Sequence, residues 1–258
     1  MTFECIQYEK IDGSAVVKLN RPQVLNAMNQ QLWLDFQAAL DEAEKDQDTK
    51  TLIITGNGRA FSTGADLKES KQRSLPAYRA YLVTLQEISR RLIRFSKPTI
   101  AAINGYALGS GYELALACDI RIAAEDAQIG SPEAKVTSSV TGGALRLLQD
   151  LIGPGMAREL LFTGRYIDGL EAARIGLVNK AVPLEDLMPE ALAMAEQISQ
   201  NASISLKLIK KGLLMAQGEA SLEALMDFEV EACLACVATK EREASLAAFE
   251  MRREKEKP

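Results

Sequence analysis

Glu113 and Glu133 are the side chains in this sequence best suited to move protons. The first stands in Asn104-Gly105-Tyr106-Ala107-Leu108-Gly109-Ser110-Gly111-Tyr112-Glu113, just past a glycine-rich turn that opens a helix. The second stands in Ser131-Pro132-Glu133, after a short strand-like run from Asp119 to Ala124 and a further turn. A strand between them can bring both carboxylates to one end of a sheet. The chain contains no histidine, so carboxylates are the groups left for acid–base work near neutral pH. Two neighbouring carboxylates in a partly dry pocket titrate as a coupled pair, one of them raised. Taken singly, Glu113 also reads as a solvated first-turn carboxylate favoured by the helix dipole, and Glu133 as a surface turn residue. The combination with two flanking loops is what points to a site.

The first of those loops is Arg59-Ala60-Phe61-Ser62-Thr63-Gly64-Ala65-Asp66-Leu67, between a strand and a helix-prone segment. Its small residues let a ligand approach the backbone closely. The second is Gly109-Ser110-Gly111. Backbone N–H groups at the start of a helix are unpaired donors in a positive potential. Two such loops can aim one N–H each at a single oxygen, which is an oxyanion hole. Gly109-x-Gly111 lacks the third glycine of a dinucleotide fingerprint, and no Gly-Lys-Ser/Thr follows Gly58 or Gly64 to make a phosphate-binding loop.

The elements that must position these groups alternate. Ser14 to Asn20 reads as a strand, Leu25 to Lys45 as a helix and Thr51 to Thr55 as a buried strand. Tyr78 to Phe95 reads as a helix, and Pro98 to Ile103 as another buried strand before the glycine-rich turn and the helix through Glu113 to Ala117. Tyr78, Tyr81, Leu82 and Leu85 share one side of their helix, which suits either core packing or the wall of a pocket. This rhythm predicts a largely α/β first part. From about Gly153 the reading turns helical: Pro154 to Phe162, Asp168 to Ile175, Leu184 to Ser199, Ser203 to Ala216, Leu222 to Ala238 and Glu241 to Arg253. No Gly/Ser linker separates the two parts, so they read as one domain.

Composition narrows the class. A chain of 258 residues can bury a full core, and its net charge of −5 is spread along the sequence without a nucleic-acid footprint. The tail from Arg252 to Lys257 alternates in sign and reads as a solvated end. No secretory signal and no membrane-spanning run is visible. Cysteines at 5, 118, 233 and 236 are too sparse for a disulfide scaffold, and reduced thiols in a cytoplasm are the expectation. Cys233-x-x-Cys236 has no second ligand pair and no histidine beside it, so it reads as helix packing.

Together these motifs resemble the crotonase superfamily, the enoyl-CoA hydratase/isomerase family, from about Phe3 to Phe249. The resemblance is carried by Asn20-Arg21-Pro22 with Leu25-Asn26-Ala27-Met28, Ala60 to Leu67, Asn104 to Leu114, Cys118-Asp119 and Ser131-Pro132-Glu133. It continues in Leu161-Phe162-Thr163-Gly164 and Ala172-Ala173-Arg174-Ile175-Gly176-Leu177-Val178. It implies an α/β fold, a crotonase-like ββα spiral over about residues 1–180, and a C-terminal helical trimerisation region over about 181–258. It also implies that Ala65 and Ser110 supply oxyanion N–H groups to a thioester carbonyl. Ala65, Asp66, Leu67 and Lys68 would lie along the bound CoA thioester, and Glu113 and Glu133 would be the two catalytic acids. Retention of both acids favours enoyl-CoA hydration over isomerisation.

The expected partner is an acyl-CoA substrate, with no nucleic acid, no membrane and no metal or redox cofactor, in a homotrimer or homohexamer. An isomerase, a hydratase of a cyclic enoyl-CoA, and a non-catalytic acyl-CoA- or RNA-binding member are the alternatives. The chain departs from the family at Ala134-Lys135-Val136-Thr137-Ser138-Ser139-Val140-Thr141-Gly142-Gly143. Here the usual proline is absent and the glycine pair comes one residue early, in a segment that borders the acyl pocket in the family.

Overall fold

The computed structural model describes residues 3–70 and 73–218, together with 226–228, 230, 231 and 235. The described strands are β1 (Ile6–Ile11), β2 (Ser14–Leu19), β3 (Thr51–Gly56), β4 (Ala60–Ser62), β5 (Thr99–Ile103), β6 (Tyr106–Leu108), β7 (Ile120–Ala124), β8 (Ile129–Gly130) and β9 (Lys180–Val182). The α-helices are α1 (Gln30–Lys45), α2 (Leu67–Ser70), α3 (Leu75–Ile93), α4 (Ser110–Leu116), α5 (Ala144–Thr163), α6 (Gly169–Arg174), α7 (Leu187–Ser199) and α8 (Ser203–Ala216). The helix expected over 222–238 lies largely outside the described residues, as do Cys233 and Cys236, and the one over 241–253 lies wholly outside them.

The strands divide between two sheets. A six-stranded sheet runs in the order β1-β2-β3-β5-β7-β9, and a three-stranded sheet in the order β4-β6-β8. Apart from the antiparallel β1–β2 hairpin, every pairing between the described strands is parallel. The pairs β3/β4, β5/β6 and β7/β8 each give one strand to the large sheet and the next to the small one, and each pair is followed by helix. This is the expected ββα repeat.

The apolar runs of β3 and β5 follow from burial on both faces. Val16, Ile53, Ile100 and Ile122 face α7, whose Leu187, Ala191 and Ala195 cover that side. Val17, Ile54, Ala101 and Ala123 face the larger core under α1, α3 and α4. Each fully buried isoleucine of this kind contributes about 1.5–3 kcal/mol. Among the described residues no helix is long and apolar enough to cross a membrane.

Expected helix starts move where a cap or a turn sets them. The first helix begins at Gln30, not Leu25, because the Asn29 side chain caps it by accepting from the Leu32 N–H at 3.0 Å. Leu25 and Asn26 have φ of 53° and 56°, outside the helical region. The buried Asn26 amide instead donates to the carbonyls of Ala60 (2.7 Å) and Asn57 (3.0 Å), fastening this turn to β4. A helical run does start at Pro154 as expected, because Gly153, with a φ of 74° and ψ of 161°, breaks α5 in two there; the part of α5 from Ala144 up to that break was not expected. Strands β1, β4, β6, β8 and β9 escape the sequence reading. Most are two or three residues long, too short for an alternation to register.

Candidate active site

The three parallel strands of the small sheet end on one edge, and their continuations meet there. β4 leads into Thr63-Gly64-Ala65, β6 into Gly109-Ser110 and α4, and β8 into Ser131-Pro132-Glu133. The carboxyl edge of a parallel sheet is where α/β proteins place ligands.

The loop after β4 is held by alternating backbone pairs. Met28 N–H donates to Gly64 O (2.8 Å) and Asp66 N–H to Met28 O (3.1 Å). The Ser62 hydroxyl donates to Asn26 O (2.8 Å) and accepts from the Gly64 N–H (3.1 Å). This alternation turns the Ala65 N–H away from Met28 and, among the described residues, leaves it without an acceptor. Arg21 clamps the same junction: its Nη1 donates to Ala27 O at 2.5 Å and to Asp66 Oδ2 at 3.0 Å. Burial opposes ionisation of Asp66, but hydrogen bonds from Arg21 and the Lys68 and Glu69 N–H groups outweigh it and hold the carboxyl below its ordinary value.

The loop after β6 turns at Gly109, whose φ of 53° and ψ of −125° exclude a side chain. Ser110 is therefore the first residue of α4, and its N–H likewise has no acceptor among the described residues. The two loops touch backbone to backbone: a methyl group on Gly64 would stand 2.8 Å from Leu108 O and 3.0 Å from Ser110 N. At its other end α4 is fixed by the buried Arg121, which donates to Leu177 O (2.8 Å) and Cys118 O (2.7 Å). A cation there complements the helix dipole.

Glu113, in the first turn of α4, is only 4% exposed, so it is not the solvated carboxylate its position alone allowed. Thr141 holds both its oxygens: the backbone N–H donates to Oε1 at 2.5 Å and the hydroxyl to Oε2 at 2.6 Å. Burial raises the Glu113 carboxyl above its ordinary value, the two Thr141 bonds oppose that shift, and the charge of Glu133 adds to it. Glu133 opens a 3-10 turn, half buried, with its Oε2 accepting from the Ser131 hydroxyl.

Ala65, Asp66, Ser110, Glu113 and Glu133 therefore gather at this edge. Leu67 heads the short α2 and is 65% exposed, and Lys68 beside it is also exposed, as is consistent with a lip but not with a buried contact. Leu85 belongs to the core, with Tyr81 and Leu82 packed against it. Arg21 and Ser131 received no role from the sequence, and Thr141 received only a place in the segment expected to border the acyl pocket. Nothing local marks Thr141, whose contact spans the fold, whereas Arg21 stood inside a recognised motif. Among the described residues no group of three His, Cys, Asp or Glu is placed to hold a metal ion.

Two unbonded N–H groups on abutting loops, beside two carboxylates, can stabilise a developing oxyanion while protons move next to it. The sequence pattern described as enoyl-CoA hydratase/isomerase matches residues 9–258. The chain is 38% identical over 242 residues to the short-chain-enoyl-CoA hydratase of Clostridium acetobutylicum, covering 93% of this chain and 92% of that protein. It is 37% identical over 250 residues to the crotonyl-CoA hydratase of Syntrophomonas wolfei, covering 96% of each. The solved enoyl-CoA hydratase of Bacillus anthracis superposes with a TM-score of 0.93 at 34% identity, covering 96% of this chain and 97% of that one.

Proposed function

We propose, from the premise that this chain belongs to the enoyl-CoA hydratase/isomerase family, that it is an enoyl-CoA hydratase, adding water across the 2,3 double bond of an enoyl-CoA thioester. The observation that carries the site assignment is the pair of backbone N–H groups, Ala65 and Ser110, left without acceptors on loops that touch. In this reading they receive the thioester oxygen. The water oxygen bonds to the β-carbon as Glu113 takes one of its protons, and the π electrons move onto the thioester oxygen. Glu133 then delivers a proton to the α-carbon, and the enolate collapses to the 3-hydroxyacyl product. Charge on the oxygen is greatest in the enolate, so fixed donors act where they lower the barrier most. Addition of water transfers no net electrons, and the step as written calls for no metal or redox cofactor. Asp66, Leu67 and Lys68 would border the CoA portion.

Hydration of crotonyl-CoA by Glu113→Gln and Glu133→Gln tests the roles. Each substitution keeps size and hydrogen bonding but cannot exchange the proton, and each is expected to cost about 10²–10⁴-fold. The double mutant should lose little more, since both acids serve one step. Near-wild-type hydration in either single mutant overturns the assignment. A panel of linear and cyclic enoyl-CoA thioesters would define the acyl group.

Assembly as a homotrimer or homohexamer belongs to the same reading. Its support is the apolar surface at Phe162 (77% exposed) and at Ile209 and Leu213 on α8 (60% and 64%). Light scattering that finds a monomer at micromolar concentration would overturn it. A cytoplasmic location also goes with this reading. Its support is that Cys5 and Cys118 are free and buried, the Cys118 thiol pushed up to about 12 by burial.

A further inference from the structure

The segment from Glu133 to Gly143, where this chain departs from its family's usual pattern, is a strap between the two glutamates. It starts at Glu133, whose carbonyl accepts from the Ser138 N–H at 2.9 Å after Thr137 turns the chain with a φ of 54°. It ends with Thr141 gripping the Glu113 carboxylate through both of its donors. The next residue seals the contact: a methyl group on Gly142 would come 3.2 Å from Glu113 Cβ and 3.0 Å from the Ser89 hydroxyl of α3. A shift at the Thr141–Gly142 end of the strap would therefore bear on Glu113.

We propose that Thr141 is a positioning residue for hydration: its N–H and hydroxyl together fix the orientation of the Glu113 carboxylate and its place relative to Glu133. This rests on the reading of Glu113 as the base. Two donors on two different oxygens prevent rotation about the carboxylate's last bond, which one donor would allow. Both donors also favour the ionised form, the form that accepts a proton from water. Glu133, from the turn after β8, is the other acidic group that acts on Glu113, disfavouring the Glu113 carboxylate when it is itself ionised. Tyr112 of α4 is the neighbouring phenol, which burial keeps neutral, and Ser89 of α3 is a neutral hydroxyl. Neither supplies a positive charge that could replace the hydroxyl of Thr141.

The test compares Thr141→Val, Thr141→Ser and Glu113→Gln in crotonyl-CoA hydration across pH. Valine keeps the branched shape and the backbone donor and removes only the hydroxyl. Loss of a donor to the ionised form makes that form less stable, so the acid limb of kcat/KM should move to higher pH by about one unit, a tenfold change in proton affinity. kcat should fall about tenfold or more, while KM and melting temperature change little, and serine should restore both the limb and the rate. An unmoved acid limb in Thr141→Val, or a rate loss that follows melting temperature and is not restored by serine, overturns the proposal. If Glu113→Gln is inactive while Thr141→Val keeps the wild-type limb, only the Thr141 inference fails. If Glu113→Gln hydrates normally, the assignment of the base fails and takes this inference with it.

Discussion

The Glu133 carboxylate packs against the backbone of Gly109: a methyl group on that glycine would stand 2.8 Å from Oε1. Gly109 also sets the direction of the Ser110 N–H by turning β6 into α4 with a positive φ. One backbone position thus fixes both the Ser110 N–H proposed as an oxyanion donor and the seat of the carboxyl proposed as an acid.

Gly109→Ala should therefore damage chemistry twice over. The added methyl is strained at this φ and displaces Glu133. We expect kcat to fall by at least about 10²–10³-fold, the usual effect of losing one oxyanion donor. Melting temperature should also drop. Activity within a few-fold of wild type would show that neither the Ser110 N–H nor Glu133 needs its present position.

Gly64→Ala separates the two loops rather than moving the acids. Its methyl group would press on Leu108 O and Ser110 N, and the residue already sits at a φ of 90°. The Ala65 and Ser110 donors would move apart. A thioester oxygen gains more from both donors in the enolate than in the ground state. The loss should thus appear in kcat, with a smaller change in the affinity for a saturated acyl-CoA, measured by calorimetry. A raised KM with unchanged kcat would count against a paired oxyanion hole here.

Much of this candidate site's layout was legible in the sequence because its parts are local. The Gly109-Ser110-Gly111 turn, the small residues at 62–65 and the two glutamates each carry their meaning within a few residues. The ββα rhythm was legible at β3 and β5, where burial on both faces leaves an uninterrupted apolar run. What escaped depends on contacts between distant segments. Asn26 looks like a helix residue until its amide is seen bridging to Ala60 and Asn57. Thr141 looks like a pocket-wall residue until both its donors meet Glu113. The short strands β4, β6 and β8 are defined by pairing with one another, not by their own composition.

Asp35 offers a stability test remote from the site. It lies on the buried face of α1, and its Oδ2 accepts the N–H groups of Glu4 (2.8 Å) and Cys5 (2.6 Å) while Oδ1 accepts from Gln31 (2.8 Å). These bonds fasten the segment leading into β1. Asp35→Ala would strand two backbone donors, at a cost of about 1–3 kcal/mol. Urea unfolding should show this as a lower midpoint, with crotonyl-CoA hydration per folded molecule unchanged. An unchanged midpoint would mean that water or another group satisfies those donors.

The last prediction concerns pH and Glu113. Burial, reinforced by Glu133, raises its native carboxyl above the ordinary value despite Thr141. The folded state therefore binds this proton more tightly than the unfolded chain does. By linkage, stability falls as pH rises between the unfolded and native values, because the native state holds more protons across that window. The contribution is fully present below the unfolded value of about 4.3 and lost above the raised native value. Glu113→Gln removes the titration while keeping the shape. Its amide oxygen can accept from the Thr141 N–H, and its NH₂ can donate to the Thr141 hydroxyl, which then reverses its role. The mutant should thus match or trail the wild type at about pH 4, gain on it as pH rises through the window between the unfolded and the raised native value, and hold that gain at higher pH. Melting temperatures of both proteins across this range provide the check. A wild type that gains on Glu113→Gln as pH rises would mean that the carboxyl is held below its ordinary value, with Thr141 outweighing burial.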